Sequence, residues 1–242
     1  MISHKLTRAA GAAAQKGAGM DESIKSRCMK RFKDHKATVV LENEDFLILD
    51  WRDKSGSGEY AVRYIVDCQK GNLIVSGDLG DCIASWFNNV TPDKLVYYVN
   101  NISYFMGKFQ CSSDTYDYQW SDIVSDLEGI KEEFLKDGEN WNYGISADEV
   151  EEDFAEMIRL CDEMTFGENV PYPDAFVELA EKYADPWWES EFAHIGKRIS
   201  GRVYLWAIGY QMALKQIRET ATEAGKNGTN EADESDSKVS GE

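Results

Sequence analysis

The sequence predicts an α+β protein, an N-terminal antiparallel β-meander packed against a C-terminal set of about five helices. Three observations predict it. Short runs of branched and aromatic residues follow one another between 37 and 87, separated only by turn-forming stretches. Those runs stand too close together to admit the crossover helices that parallel strands need. From residue 91 onward apolar residues recur at the three- and four-residue spacing of a helix.

The elements follow in order. "ATVVL" and "FLILDW" read as strands joined by the acidic turn "ENED", and "KSGSGE" is a flexible turn. "YAVRYIVDC" and "NLIVS" form the next pair around "QKGN", and "CIASWF" supplies a fifth strand. "TPDKLVYYVNNISYFMG" opens a helix with Thr91 as N-cap and Pro92 at the first helical position, and places Leu95, Val99, Ile102 and Met106 on one face. "SDIVSDLEGIKEEFLKDG" puts Ile123, Leu127, Ile130 and Phe134 on one stripe and ends on Gly138 as a cap. "SADEVEEDFAEMIRLCDEM" begins with a capping box, Ser146 with Glu149, and buries Val150, Phe154, Met157 and Cys161. "YPDAFVELAEKY" is a shorter helix. "GRVYLWAIGYQMALKQIRET" carries Val203, Trp206, Tyr210, Ala213 and Ile217 on one face, widened by Tyr204, Leu205 and Ile208, so it should be central and mostly buried.

The ends differ from the middle. Residues 1–36 hold nine Lys/Arg and three Asp/Glu and are expected to be a basic, flexible segment. Residues 225–242 lack the apolar side chains that would offset ordering entropy and are expected to be a disordered acidic tail. Between them, 37–224 reads as a single acidic domain, β over 37–90 and helical over 91–224. The formal net charge is −18. Such a surface repels nucleic acid and favours basic partners. No apolar run is long enough to span a membrane. The five cysteines, Cys28, Cys68, Cys82, Cys111 and Cys161, are widely spaced and contain no CxxC, which argues against a zinc site or a disulfide framework.

Few motifs carry chemistry. "SGDLGD" at 76–81 is neither a dinucleotide fingerprint nor a phosphate loop, and Asp78 and Asp81 would repel a phosphate. Its glycines suit a turn between strands. Two carboxylates are too few for a calcium loop. His194, the one histidine expected inside the fold, is tied to no nucleophile, so no catalytic residue, metal ligand or cofactor is assigned. The best candidate site is the third helix, where Asp148, Glu149, Glu151, Glu152, Asp153 and Glu156 form a dense acidic surface. Trp187 and Trp188 in "DPWWESEF" cannot both enter one core from one helical face, and an exposed Trp suits an interface.

The hairpin "YAVRYIVDCQKGNLIVSGDLGDCIASWF", followed by an aromatic helix and by "IGKRISGRVYLWAIGYQMAL", resembles small hypothetical proteins carried by phages and mobile elements of Gram-positive gut bacteria, over about residues 37–218. Proteins in that setting include inhibitors of host defence, anti-CRISPR proteins among them. The resemblance implies a protein acting in the cytoplasm of an infected bacterium. Its expected partner is a basic host defence protein such as an RNA-guided nuclease, with no nucleic acid or membrane bound by the folded domain. The acidic helix would steer association and a tryptophan would anchor it. A small magnesium-dependent enzyme acting on a nucleotide, with Asp78 and Asp81 as ligands, is the alternative.

Overall fold

The computed structural model describes residues 20–55, 59–137, 144–162, 172–183 and 192–235. The class is α+β, with the predicted antiparallel meander. The chain divides into two units, one spanning Tyr116–Ser200 and the other built from the chain on either side, up to Thr115 and from Gly201. The sequence reading draws one domain over 37–224. The boundary at 116 and 200 is a product of strand pairing between distant residues, which local periodicity does not reveal.

The sheet unit contains six strands in sequential order: β1 (His35–Glu42), β2 (Phe46–Asp53), β3 (Val62–Asp67), β4 (Asn72–Gly77), β5 (Cys82–Ser85) and β6 (Phe109–Ser112). Alternation along the strands buries one face: Leu47, Leu49 and Trp51 on β2, Val62, Tyr64 and Val66 on β3, Leu73 and Val75 on β4, Cys82 and Ala84 on β5. The last helix, α7 (Gly201–Ser235), covers this face with Val203, Trp206, Tyr210 and Ala213, as its apolar stripe predicts. Tyr210 meets Tyr64 at 5.5 Å between ring centroids, and its hydroxyl donates to the Pro92 carbonyl at 2.9 Å. The opposite face carries a different row. Leu41 pairs with Ile48, Ile48 with Ile65, Ile65 with Ile74, Ile74 with Ile83 and Ile83 with Cys111, one apolar residue per strand directly opposite the next.

Three findings correct the local reading. Residues 22–31, inside the segment expected to be flexible, form α1 (Glu22–Arg31). Asp21 caps it by accepting from the Ser23 amide at 2.7 Å, and Cys28 and Phe32 are buried beneath it. The helix expected over 92–106 is two, α2 (Pro92–Val99) and α3 (Ile102–Met106), because Asn101 restarts it by accepting from the Tyr104 amide at 3.0 Å. Phe105, rather than Met106, is then the fully buried residue. Finally, α7 continues to Ser235, into the stretch expected to be disordered. Extending a formed helix costs far less than nucleating one.

The open edge of the sheet at β1 is partly blocked. The Gln216 side chain accepts from the Ala37 amide at 2.6 Å and donates to the His35 carbonyl at 3.5 Å, and a bulge follows between Val39 and Leu41.

The second unit is closed by a short antiparallel pair, β7 (Tyr116–Tyr118) with β8 (Lys197–Ile199). Between them lie α4 (Trp120–Asp137), α5 (Ala147–Asp162) and α6 (Asp174–Glu181). Ile123, Leu127 and Phe134 of α4, Val150, Phe154, Met157 and Cys161 of α5, and Phe176 and Ala180 of α6 form one core with Tyr183, Phe192 and Ile195. Gly138, the expected cap of α4, lies outside the described residues.

Candidate functional site: the acidic surface of the helical unit

Helix α5 forms where the capping signal places it. Ser146 accepts from the Glu149 amide at 3.2 Å, and acids in the first turn favour the positive end of the helix dipole. Its four predicted inward residues are all buried. Phe154 meets Tyr183 at 5.2 Å and Phe134 at 6.0 Å. That packing fixes which carboxylates face outward.

The six acids predicted as a binding surface separate into two groups. Four are engaged inside the unit. Glu151 pairs with Lys131 at 3.2 Å. Asp153 accepts from Lys182 at 2.9 Å and from the Tyr183 hydroxyl at 2.6 Å. Glu149 lies 3.9 Å from Lys182. Glu156 holds Arg159 through two hydrogen bonds of 2.6 and 2.7 Å, which keeps its carboxyl below the usual range. The Lys131 ammonium is pushed up, chiefly by Glu128 at 2.6 Å and also by Glu151. The Lys182 ammonium is pushed up by Asp153. Asp148 and Glu152 are exposed, four residues apart on one stripe, with no cation beside either among the described residues.

The whole unit shows the same imbalance. Residues 116–200 hold 23 Asp/Glu and 6 Lys/Arg, a net of −17, nearly the entire charge of the chain. All six cations are already engaged there. Lys131, Lys182 and Arg159 pair as above, and Lys136 pairs with Glu132 at 3.3 Å. Arg198 pairs with Asp126 at 2.8 Å and Asp122 at 3.5 Å, and Lys197 sits 4.2 Å over the Tyr116 ring. What remains is an excess of carboxylate over cation. On α6, Asp174, Glu178 and Glu181 are exposed at helical spacing on one face, with no cation beside them among the described residues. The sequence reading missed this row, although its spacing of four and three residues was there to be read. Like charges at that spacing destabilise a helix by a few tenths of a kcal/mol each.

Trp187 and Trp188 lie outside the described residues. The large exposed aromatics among the described residues are elsewhere: Phe46, Phe87, Tyr97, Tyr104 and Tyr116.

The "SGDLGD" stretch is the turn that reverses β4 into β5. Gly77 and Gly80 both take positive φ, 140° and 82°. A side chain at Gly77 would run into the Ala61 carbonyl oxygen. The Asp78 carboxylate accepts from the Ala61 amide at 2.9 Å, so it already serves as a local clamp. The Asp81 amide donates to Ser113 Oγ at 3.0 Å. Among the described residues no three His, Cys, Asp or Glu side chains gather into a metal-binding group.

The histidines divide between surface and core. His194 is exposed, at the end of a short 3-10 turn. His35 is the buried one, packed on Phe32 at 4.9 Å and Trp51 at 5.4 Å between ring centroids. All five cysteines are free, and burial pushes the Cys82 and Cys161 thiols up to about 12. No described helix is long and apolar enough to cross a membrane. Comparison with family models, with curated proteins and with solved structures finds no match to this chain.

Proposed function

We propose that the protein is a non-enzymatic inhibitor of a bacterial defence system, encoded by a phage or mobile element, that binds a basic nucleic-acid-handling protein through the acidic surface of its helical unit. One observation carries the reading. Every cation of residues 116–200 is engaged within that unit, yet 23 carboxylates are present. Six cations cannot balance 23 carboxylates, and the excess negative charge would be relieved by a basic groove. The exposed acids that support this are Asp148 and Glu152 on α5, and Asp174, Glu178 and Glu181 on α6. Of the paired acids of α5, Glu149, Glu151 and Asp153 reach cations outside the helix, at Lys182 and Lys131.

An RNA-guided nuclease is the first target to test, because its guide and target channel is basic. The experiment measures binding of the full chain to a panel of purified CRISPR effector nucleases. The expected result is stoichiometric binding that weakens as salt rises from about 0.1 M to about 1 M. The triple variant D148K/E152K/E178K should lose at least about tenfold in affinity, mostly through slower association. Glu151→Gln, which removes a paired acid, should change affinity by no more than about twofold. Absence of binding across the panel would remove this target class. Binding indifferent to both salt and the triple variant would remove the acidic surface as its cause.

A further inference from the structure

The face of the six-stranded sheet opposite α7 is unlike an ordinary solvent-facing sheet surface. Antiparallel sheets with one covered face usually present polar side chains on the other. Here the central row is Leu41, Ile48, Ile65, Ile74, Ile83 and Cys111, in register across all six strands. With strands about 4.8 Å apart, the row runs for roughly 24 Å. No charged residue interrupts it. The flanking rows are not alike. On one side stand Phe46 on β2, Asp67 on β3 and Asn72 on β4, each the register partner of the next. On the other stand Asp50 on β2, Arg63 on β3 and Ser76 on β4, likewise register partners.

On β3 and β4 this asymmetry is self-complementary, while on β2 the flanks are Phe46 and Asp50. Two such faces related by a two-fold axis along the apolar row would set each isoleucine over its own copy. The same rotation exchanges the flanks, so Asp67 faces Arg63 of the second copy, and Arg63 faces its Asp67. Asn72 and Ser76 exchange in the same way as donor and acceptor. Arg63 already holds Asp50 through Nε at 2.6 Å and Nη2 at 2.9 Å, which fixes its guanidinium and leaves further donors for a second carboxylate. Face-to-face sheets pack about 10 Å apart with strands within about 30° of one another, which suits side chains of isoleucine size. A two-fold interface needs this kind of match, in which residue i meets j and j meets i.

We propose that this isoleucine face is a self-association surface, occupied by a second copy of the chain packed sheet to sheet about a two-fold axis. The inference is independent of the proposed target and stands or falls separately from it.

The test is sedimentation velocity of the full chain from micromolar to near-millimolar concentration. Wild type should pass from monomer to dimer over that range and stop at dimer. The variant I65T/I74T keeps branched, strand-favouring side chains while making the row polar, and should weaken dimerisation at least about tenfold. Asp67→Arg brings like charges together at both symmetric contacts and should weaken it similarly. Circular dichroism of each variant should match wild type, so that loss of the dimer is not loss of the fold. A monomer throughout the range would overturn the proposal. So would a dimer that both folded variants retain unchanged, because the contact would then lie on another face.

Discussion

Two glycines in helix interiors should respond to the same substitution with opposite sign. Gly209 lies in the middle of α7, against the sheet. A methyl group there would run into the Tyr64 hydroxyl and come within 3.2 and 3.3 Å of the Phe32 ring. Both neighbours are fully buried, so neither can swing aside into solvent. Replacing glycine by alanine gains about 1 kcal/mol of helix propensity. Overpacking a well-filled core costs about 1–3 kcal/mol. For Gly209→Ala the cost should win, leaving a net destabilisation of up to about 2 kcal/mol. Gly129, in α4, is exposed and has nothing within 4 Å of the added carbon. Gly129→Ala should therefore stabilise its helix by up to about 1 kcal/mol. Urea unfolding followed by circular dichroism and tryptophan fluorescence reads both. With a slope of about 2 kcal/mol per molar, the Gly209→Ala midpoint should fall by up to about 1 M and the Gly129→Ala midpoint should rise. A Gly209→Ala protein as stable as Gly129→Ala would show that the Tyr64–Phe32 contact is not tight, and the packing argument for α7 would fail.

Other outcomes follow from the electrostatics and the thiols. Asp50 is held below the usual carboxylate range, first by its hydrogen bond to Arg63. Its contribution is therefore present above the unfolded value near pH 4 and is lost as pH falls through the lower folded value; Asp50→Asn should cost stability at pH 7 and progressively less as the medium is acidified below the unfolded value, read as the difference between the two urea midpoints across pH. Cys82 and Cys161, pushed up to about 12 by burial, should resist iodoacetamide at pH 8.5 while exposed Cys111 reacts, as scored by mass spectrometry of the native protein. Fast labelling of Cys161 without unfolding would contradict the helical core as described. Arg198→Ala, which frees Asp126 and Asp122, should destabilise the helical unit by only about 0.5–1 kcal/mol because the pair is partly exposed, and hydrogen exchange at β8 should report it.

The parts legible in the sequence are those whose periodicity is local. Leu47, Leu49 and Trp51 alternate along β2, and Val150, Phe154, Met157 and Cys161 track one face of α5; each pattern alone fixes its element and its buried side. The strands β6, β7 and β8 were not legible. "FQCS" becomes a strand because Cys111 meets Ile83, and "KRI" because Lys197 meets Tyr118, partners far away in the chain. The candidate site was legible as composition and not as geometry. Counting acids on α5 finds the charge, but which carboxylates are neutralised depends on Lys131 from α4 and Lys182 just after α6. The isoleucine row is visible only once register is known, since in sequence its members are single residues in separate strands.

The short pairing of β7 with β8 sets Tyr116 opposite Ile199, so the polypeptide enters and leaves the helical unit at neighbouring points. The ribosome therefore completes that unit while the sheet unit still lacks its last helix, and the sheet waits, its buried face bare, until residues from Gly201 onward emerge. A nonsense change between the two would release a chain with its acidic helices whole and its sheet unroofed. A splice joining Thr115 to Gly201 would instead remove the helices as a cassette and leave the sheet with its roof, which makes the two halves of this chain separable by genetics before they are separable by any purification.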